Sequence, residues 1–253
     1  MLADKAKEVL QVLQREGILE HLVLIGSWCC HFYVPFFGKK NYTPNIQTLD
    51  IDFLIPKPTP AGLKKSPRPM DELLKSLDFD TDFTASGWLR FVHPELRVEF
   101  LVPRVGAQPD EPQTIPGLEI TAMPLRHSHV LTKHTIGIEE DGIHLRIPHP
   151  AAFALHKLFV SGRRKDAGKA ARDKETAFRI LEAILATEKT KDIHTVWDSF
   201  TAKEQRDILA IIRQEGPIDL ISIFFNNPPT KEQAGKLVPV ARGKRRGSPM
   251  TRS

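Results

Sequence analysis

The chain has 253 residues, 41% of them apolar and 26% charged, with a formal net charge of +5. That is the composition of an ordinary water-soluble protein, long enough to bury a sizeable core as one large domain or two smaller ones. No stretch approaches the roughly 18–20 apolar residues that a helical bilayer span needs, and the adjacent pair Cys29 and Cys30 excludes a disulfide framework.

The opening Met-Leu-Ala-Asp-Lys-Ala-Lys-Glu lacks the basic-then-apolar order of a secretory signal. With two small, reduced, buried cysteines, the expectation is a cytoplasmic protein. The basic balance belongs to one end. Lys236, Arg242, Lys244, Arg245, Arg246 and Arg252 give residues 236–253 a charge of +6, and +5 less +6 leaves −1 for residues 1–235. Such a tail reads as disordered: either a weak, salt-dependent contact for nucleic-acid phosphates or a solubilising end.

In chain order, Ala6, Val9, Leu10 and Leu13 follow helical spacing over 3–16, with Gly17 as the stop. Leu22–Ile25 reads as a buried strand entering a Gly26-Ser27 turn. Trp28–Tyr33 reads as a helix start behind that turn, ended or bent by Pro35, with Ser27 as a possible N-cap. Phe36–Tyr42 reads as an inserted basic-aromatic loop, either a ligand grip or a packing loop with exposed lysines. Thr48–Ile55 is a second strand, and the proline-rich 56–69 is a loop. Met70–Leu77 reads as a short helix. Thr84–Phe91 and Leu96–Val102 read as antiparallel strands turning at His93-Pro94-Glu95, with 104–117 a linker. Leu118–Ala122, then Thr135–Ile138 and Ile143–Ile147 around Glu140-Asp141-Gly142, add strands. After Pro150 the pattern is helical: Ala151, Leu155, Leu158 and Phe159 inward, then a helix over 171–187 with Ala177, Ile180, Leu181 and Ile184 inward. A further helix covers His194–Phe200. Thr201-Ala202-Lys203-Glu204 is a capping box opening a helix that Gly216 stops, and 219–225 is an apolar segment.

Side chains alternate along a strand, so Asp50 and Asp52 share one face while Leu49, Ile51 and Phe53 take the other. Two carboxylates that close repel unless a cation lies between them, and oxygen-only ligands favour Mg²⁺ or Mn²⁺. The competing reading is an edge strand with solvated aspartates. Glu99 interrupts the apolar run Leu96–Val102 where a buried strand would carry Val, Leu or Phe. Gly26-Ser27, directly after a strand, offers backbone N–H groups and a hydroxyl to an anion.

A Gly-Ser turn after one strand, Asp-x-Asp on the next and a lone acid on a third resemble the nucleotidyltransferases of the DNA polymerase beta superfamily. The pattern is nearest to small prokaryotic members with a Gly-Ser-Trp turn and a Thr-x-Asp-x-Asp strand. The likeness extends to Pro148–Leu158, a helix start with a lysine in the family's place, and covers about residues 20–180. It departs in the 22 residues between Ser27 and Asp50, which imply an insertion around 33–47 that covers or shapes the site. The resemblance implies an α+β fold: a polymerase-beta-type mixed sheet flanked by helices, followed by a C-terminal helical domain. Domains are expected at 1–147 (catalytic) and 148–227 (helical), with 228–253 the basic tail.

It also implies the chemistry. NMP passes from an NTP to an acceptor hydroxyl, with two Mg²⁺ or Mn²⁺ ions roughly 3.5–4 Å apart. Asp50 and Asp52 would hold both ions. Glu99 would complete the one beside the acceptor. Gly26 and Ser27 would hold the terminal phosphates, and Lys157 would reach a phosphate as a point charge. The acceptor is open among RNA, a small molecule and a protein, and no membrane partner is expected. Arg163, Arg164, Lys165, Lys169, Arg172 and Lys174 read as a solvated face or as a triphosphate or RNA contact. His127, His129, His134, His149 and His156 lack the acidic helix motif of a zinc site. The alternative to an enzyme is a nucleotidyltransferase-fold regulatory partner of a toxin–antitoxin-like pair.

Overall fold

A computed structural model describes residues 4–44, 49–65, 68–84, 87–104, 106 and 111–224. Thr48 of the acidic motif and the basic tail lie outside the described residues. Helix α1 (Asp4–Arg15) buries Ala6, Val9, Leu10, Val12 and Leu13, and Gly17 ends it with φ +67°. After a 3₁₀ turn at Leu19–His21, strand β1 (Val23–Ile25) is buried throughout. Two single-turn helices follow, α2 (Cys29–Phe32) and α3 (Val34–Phe37). Pro35 sits in the first turn of α3, where its missing N–H costs nothing. The expected inserted loop therefore begins later than its aromatic residues: Phe36 and Phe37 are helical, and Phe37 and Tyr42 are buried. They pack, while Lys39, Lys40 and Asn41 are exposed.

Strand β2 (Asp50–Leu54) leads through a 3₁₀ turn at Ala61–Lys65, inside the segment expected to be irregular, to α4 (Met70–Lys75). The strand expected over 84–91 is instead a hairpin, β3 (Asp80–Phe83) with β4 (Leu89–His93). Gly87 takes φ +76°, and the Thr84 hydroxyl accepts from Trp88 N–H at 3.0 Å; together they close a turn where the pattern showed continuous strand. β5 (Leu96–Arg104) is the longest strand. The expected linker contains β6 (Gln113–Ile115), which pairs antiparallel with β7 (Ile120–Arg126).

The seven strands run β1-β2-β5-β4-β3, with β7 and β6 beyond β5. β2 and β5 are parallel, β1 and β2 antiparallel. β4 pairs with Leu96–Val98 of β5 and β7 with Leu101–Arg104, so two strands divide one edge of β5 between them. This is the mixed sheet expected. Ile51, Phe53, Val98 and Phe100 face the core on one side, with the Phe53 and Phe100 rings stacked at 5.6 Å. Asp50, Asp52 and Glu99 take the other face.

After α5 (His129–Lys133), β8 (Thr135–Glu140) and β9 (Ile143–Pro148) form a separate hairpin whose Asp141-Gly142 tip has φ +53° and +76°, as the sequence requires of that turn. The Tyr33 hydroxyl donates to the Pro148 carbonyl at 2.8 Å, tying β9 to the segment behind β1. Then come α6 (Pro150–Ser161), α7 (Ala167–Ala186), α8 (Thr190–Trp197), α9 (Ala202–Glu215) and α10 (Ile218–Phe224). α8 starts four residues before its expected His194, with Ile193 and Val196 buried. The capping box at Thr201 and Glu204 is formed. α6 is buried on nearly every side, among α5, α7, α8 and α9. Ordinary helix amphipathicity does not apply to it.

Candidate active site

A cleft of about 760 Å³ runs between the carboxylate face of the sheet and helices α6 and α7. Gly26, Ser27, Asp50, Asp52, Glu99 and Lys157, each singled out from sequence, all line it.

On the sheet side, register decides the arrangement. Asp52 is paired with Glu99 across β2 and β5, and Asp50 with Arg97. Ile25 is opposite Asp52 on the other neighbour, so the turn after β1 emerges beside the same carboxylate. Gly26 has φ +77°, and a Cβ there would meet Asp52 Oδ2. Two independent reasons therefore require glycine: the left-handed backbone and the closeness of that carboxylate. Burial, then Glu99 and Asp50, push the Asp52 carboxyl up to about 7. Burial and Asp50 also raise Glu99, with Arg90, Arg97 and Lys169 pulling the other way. Positive charge is in deficit here. Among the described residues the three carboxylates are not drawn into one cluster, and Asp50 pairs with the Arg97 guanidinium. That pair is 38% and 43% exposed, so it is weakly held and cheap to break.

Ser27 is not an N-cap. α2 starts at Cys29, Trp28 precedes it, and no side chain caps it. Ser27 instead lines the cleft, while the Gly26 and Ser27 carbonyls accept from Cys29 and Cys30 N–H at 3.2 and 3.1 Å. With four residues, α2 carries little dipole of its own. Among residues 33–44 none lines the cleft, so in its described part the insertion packs away from the site.

The helical side shows pairings that the sequence did not. Lys157 is not solvated: its side chain is 13% exposed and its Nζ donates to Asp173 Oδ1 at 2.6 Å. Arg164 Nε donates to Asp173 Oδ2 at 2.9 Å. Burial alone would raise the Asp173 carboxyl, but Lys157 and then Arg164 hold it below the ordinary range. The basic run divides. Arg164, Lys169 and Arg172 line the cleft, whereas Arg163 pairs with Asp207 and Lys174 with Glu215 elsewhere.

A family model described as nucleotidyltransferase matches residues 4–202 and so takes in every cleft residue named above. The chain belongs to that family. Three solved structures are similar to it. Two are of the antibiotic-resistance factor ANT(2'')-Ia: one in solution (9% identity, 74% of this chain and 91% of that one, TM-score 0.40), and one in complex with adenylyl-2''-tobramycin (11%, 77% and 95%, TM-score 0.41). The third is an antigenic nucleotidyltransferase-like protein from Paracoccidioides brasiliensis (11%, 76% and 90%, TM-score 0.38). No curated protein matches the chain by sequence.

Within this nucleotidyltransferase, sequence reasoning passed over Asp173. The signal was present: 173, 177, 180, 181 and 184 form one inward stripe of α7, and an aspartate interrupts it. His156 was read only as a weak zinc candidate. It is 8% exposed, lines the cleft, and its Nε2 has no hydrogen-bond partner. Burial, then Lys157, hold its imidazole down at about 3, so it is neutral. The other histidines have separate partners: His127 pairs with Glu204, His134 with the Ser199 hydroxyl and His149 with Asp192.

Proposed function

We propose that the cleft transfers a nucleoside monophosphate from a nucleoside triphosphate to an acceptor hydroxyl, releasing pyrophosphate, with Mg²⁺ or Mn²⁺ as cofactor. The observation that carries this reading is the charge imbalance on the sheet. Asp52, in register with Glu99, has its carboxyl pushed up to about 7 by burial and then by Glu99 and Asp50, and a bound cation relieves that crowding without a proton. The donor set is all carboxylate oxygen, which suits a hard divalent ion. Asp50, Asp52 and Glu99 are the residues that would hold it, Asp50 by exchanging its exposed partner Arg97. Bound there, the ions would neutralise phosphate charge and favour an ionised acceptor hydroxyl.

The remaining roles belong to the chain itself. The Ser27 hydroxyl and the exposed backbone of the Gly26-Ser27 turn hold phosphate oxygens. Lys157 supplies a fixed positive charge across the cleft. Glu99 receives the acceptor's proton as the acceptor oxygen bonds to the α-phosphorus and the bond to pyrophosphate breaks. Catalysis is then chiefly positioning and charge stabilisation. The acceptor class stays open among RNA, a small molecule and a protein hydroxyl.

The test is incubation with each labelled nucleoside triphosphate, Mg²⁺, and total RNA or cell lysate, read by mass spectrometry. Labelling is expected, and it should vanish in Asp50→Asn and in Asp52→Asn. Equal labelling by both variants and the wild type rejects the assignment.

A further inference from the structure

Asp173 is 5% exposed and carries two cations, one on each oxygen: Lys157 on Oδ1 and Arg164 on Oδ2. A latch between α6 and α7 requires one cation. The second leaves the trio at +1, on the wall of a cleft that all three residues line. Arg164 is 37% exposed toward that cleft, so the excess positive charge stands where an anionic ligand can meet it. The geometry of the donors points the same way. Lys157 uses one of its three N–H groups, and its Nζ lies 5.2 Å from the Phe153 ring, which narrows its freedom. Arg164 engages Asp173 through Nε, which leaves the two terminal nitrogens of its fork for a phosphate.

We infer that Asp173 is a positioning residue that holds Lys157 and Arg164 as a two-cation bracket for the triphosphate, with Arg164 a direct phosphate contact. This rests on the nucleotidyl-transfer reading, which assigned only Lys157 to that side. Asp173 itself touches no substrate. It fixes where two long, flexible side chains stand, so that their ordering is complete before the ligand arrives.

The experiment measures binding of inorganic tripolyphosphate, and of the four nucleoside triphosphates and monophosphates, to the full chain by calorimetry. Arg164→Gln should weaken tripolyphosphate and triphosphate binding about tenfold and leave monophosphate binding within about twofold. It removes a 37% exposed side chain, so it reads the bracket without emptying the interior. Asp173→Asn should do the same, and Asp173→Glu should restore part of the loss. On a background carrying both Lys157→Gln and Arg164→Gln, Asp173→Asn should add little, because both partners it acts through are already gone. Two results overturn the inference while leaving the transferase reading intact: triphosphate binding within twofold of wild type in Arg164→Gln, or an undiminished effect of Asp173→Asn once Lys157→Gln and Arg164→Gln are both present. Absence of tripolyphosphate binding by the wild type also overturns it, and the labelling experiment then decides the transferase reading separately.

Discussion

The two walls of the cleft handle charge in opposite ways. The sheet wall gathers like charges: Asp52 and Glu99 are in register on adjacent strands with Asp50 alongside, and both Asp52 and Glu99 are pushed above their ordinary range. The helical wall carries its own counter-ion, since Asp173 is held below its ordinary range by Lys157 and Arg164. Strands hold neighbouring side chains at fixed short spacing and cannot let them apart. Helices α6 and α7 present longer side chains that choose partners. On the proposed reading, one wall takes up cations and the other receives an anion.

The largest break in this contrast comes from Asp52→Asn, which should lower nucleotidyl transfer by about 10³-fold or more without unfolding the chain. Transfer within tenfold of wild type would mean that the sheet wall is not the catalytic one. Next is Gly26→Ala. It forces a side chain into a backbone at φ +77° and against Asp52 Oδ2, and should cost roughly 1–2 kcal/mol of stability. A loss of transfer of about 10–100-fold should accompany it, because the carboxylate must move. A stability loss with full activity would show that the position of Asp52 is not critical.

A third prediction reads the sheet wall through pH. Burial, then Glu99 and Asp50, push the native Asp52 carboxyl up to about 7 from an ordinary 3.8, so between those values the folded chain keeps a proton that the unfolded chain has lost. Stability of the metal-free protein from this group is therefore highest below about pH 4, falls as pH rises, and is lowest above about pH 7. Asp52→Asn should stabilise metal-free protein by on the order of 2 kcal/mol near pH 8 and by nothing near pH 4, measured by denaturant midpoints at both values. An equal shift at both would contradict the charge crowding. The smallest expected effect is a control away from both walls. Thr201→Ala removes the α9 cap and should cost about 1 kcal/mol with unchanged transfer.

Much of the sheet wall was legible beforehand. Period-2 alternation puts Asp50 and Asp52 on one face whatever the tertiary context, and a lone Glu99 in an apolar run announces itself. The hairpin at 80–93 was read as a strand over 84–91 because Thr84, Trp88, Leu89 and Phe91 carry a strand pattern across a turn set by Gly87 and the Thr84 hydroxyl. Nothing in the sequence showed what surrounds Lys157. A lysine on an isolated amphipathic helix is solvated, but α6 is enclosed by its neighbours and the charge had to find Asp173.

By itself the sequence determined which residues share a strand face, where the first strand turns, and which helices bury which stripe. These follow from backbone periodicity and local sterics, which need only near neighbours. Tertiary structure alone decided that Asp52 lies beside Glu99 and not Arg97, that α6 is enclosed, and that one aspartate 16 residues beyond Lys157 holds it and Arg164 together. Strand register and helix packing join residues distant in the chain, and the energy of a buried charge depends on what the whole fold brings to it.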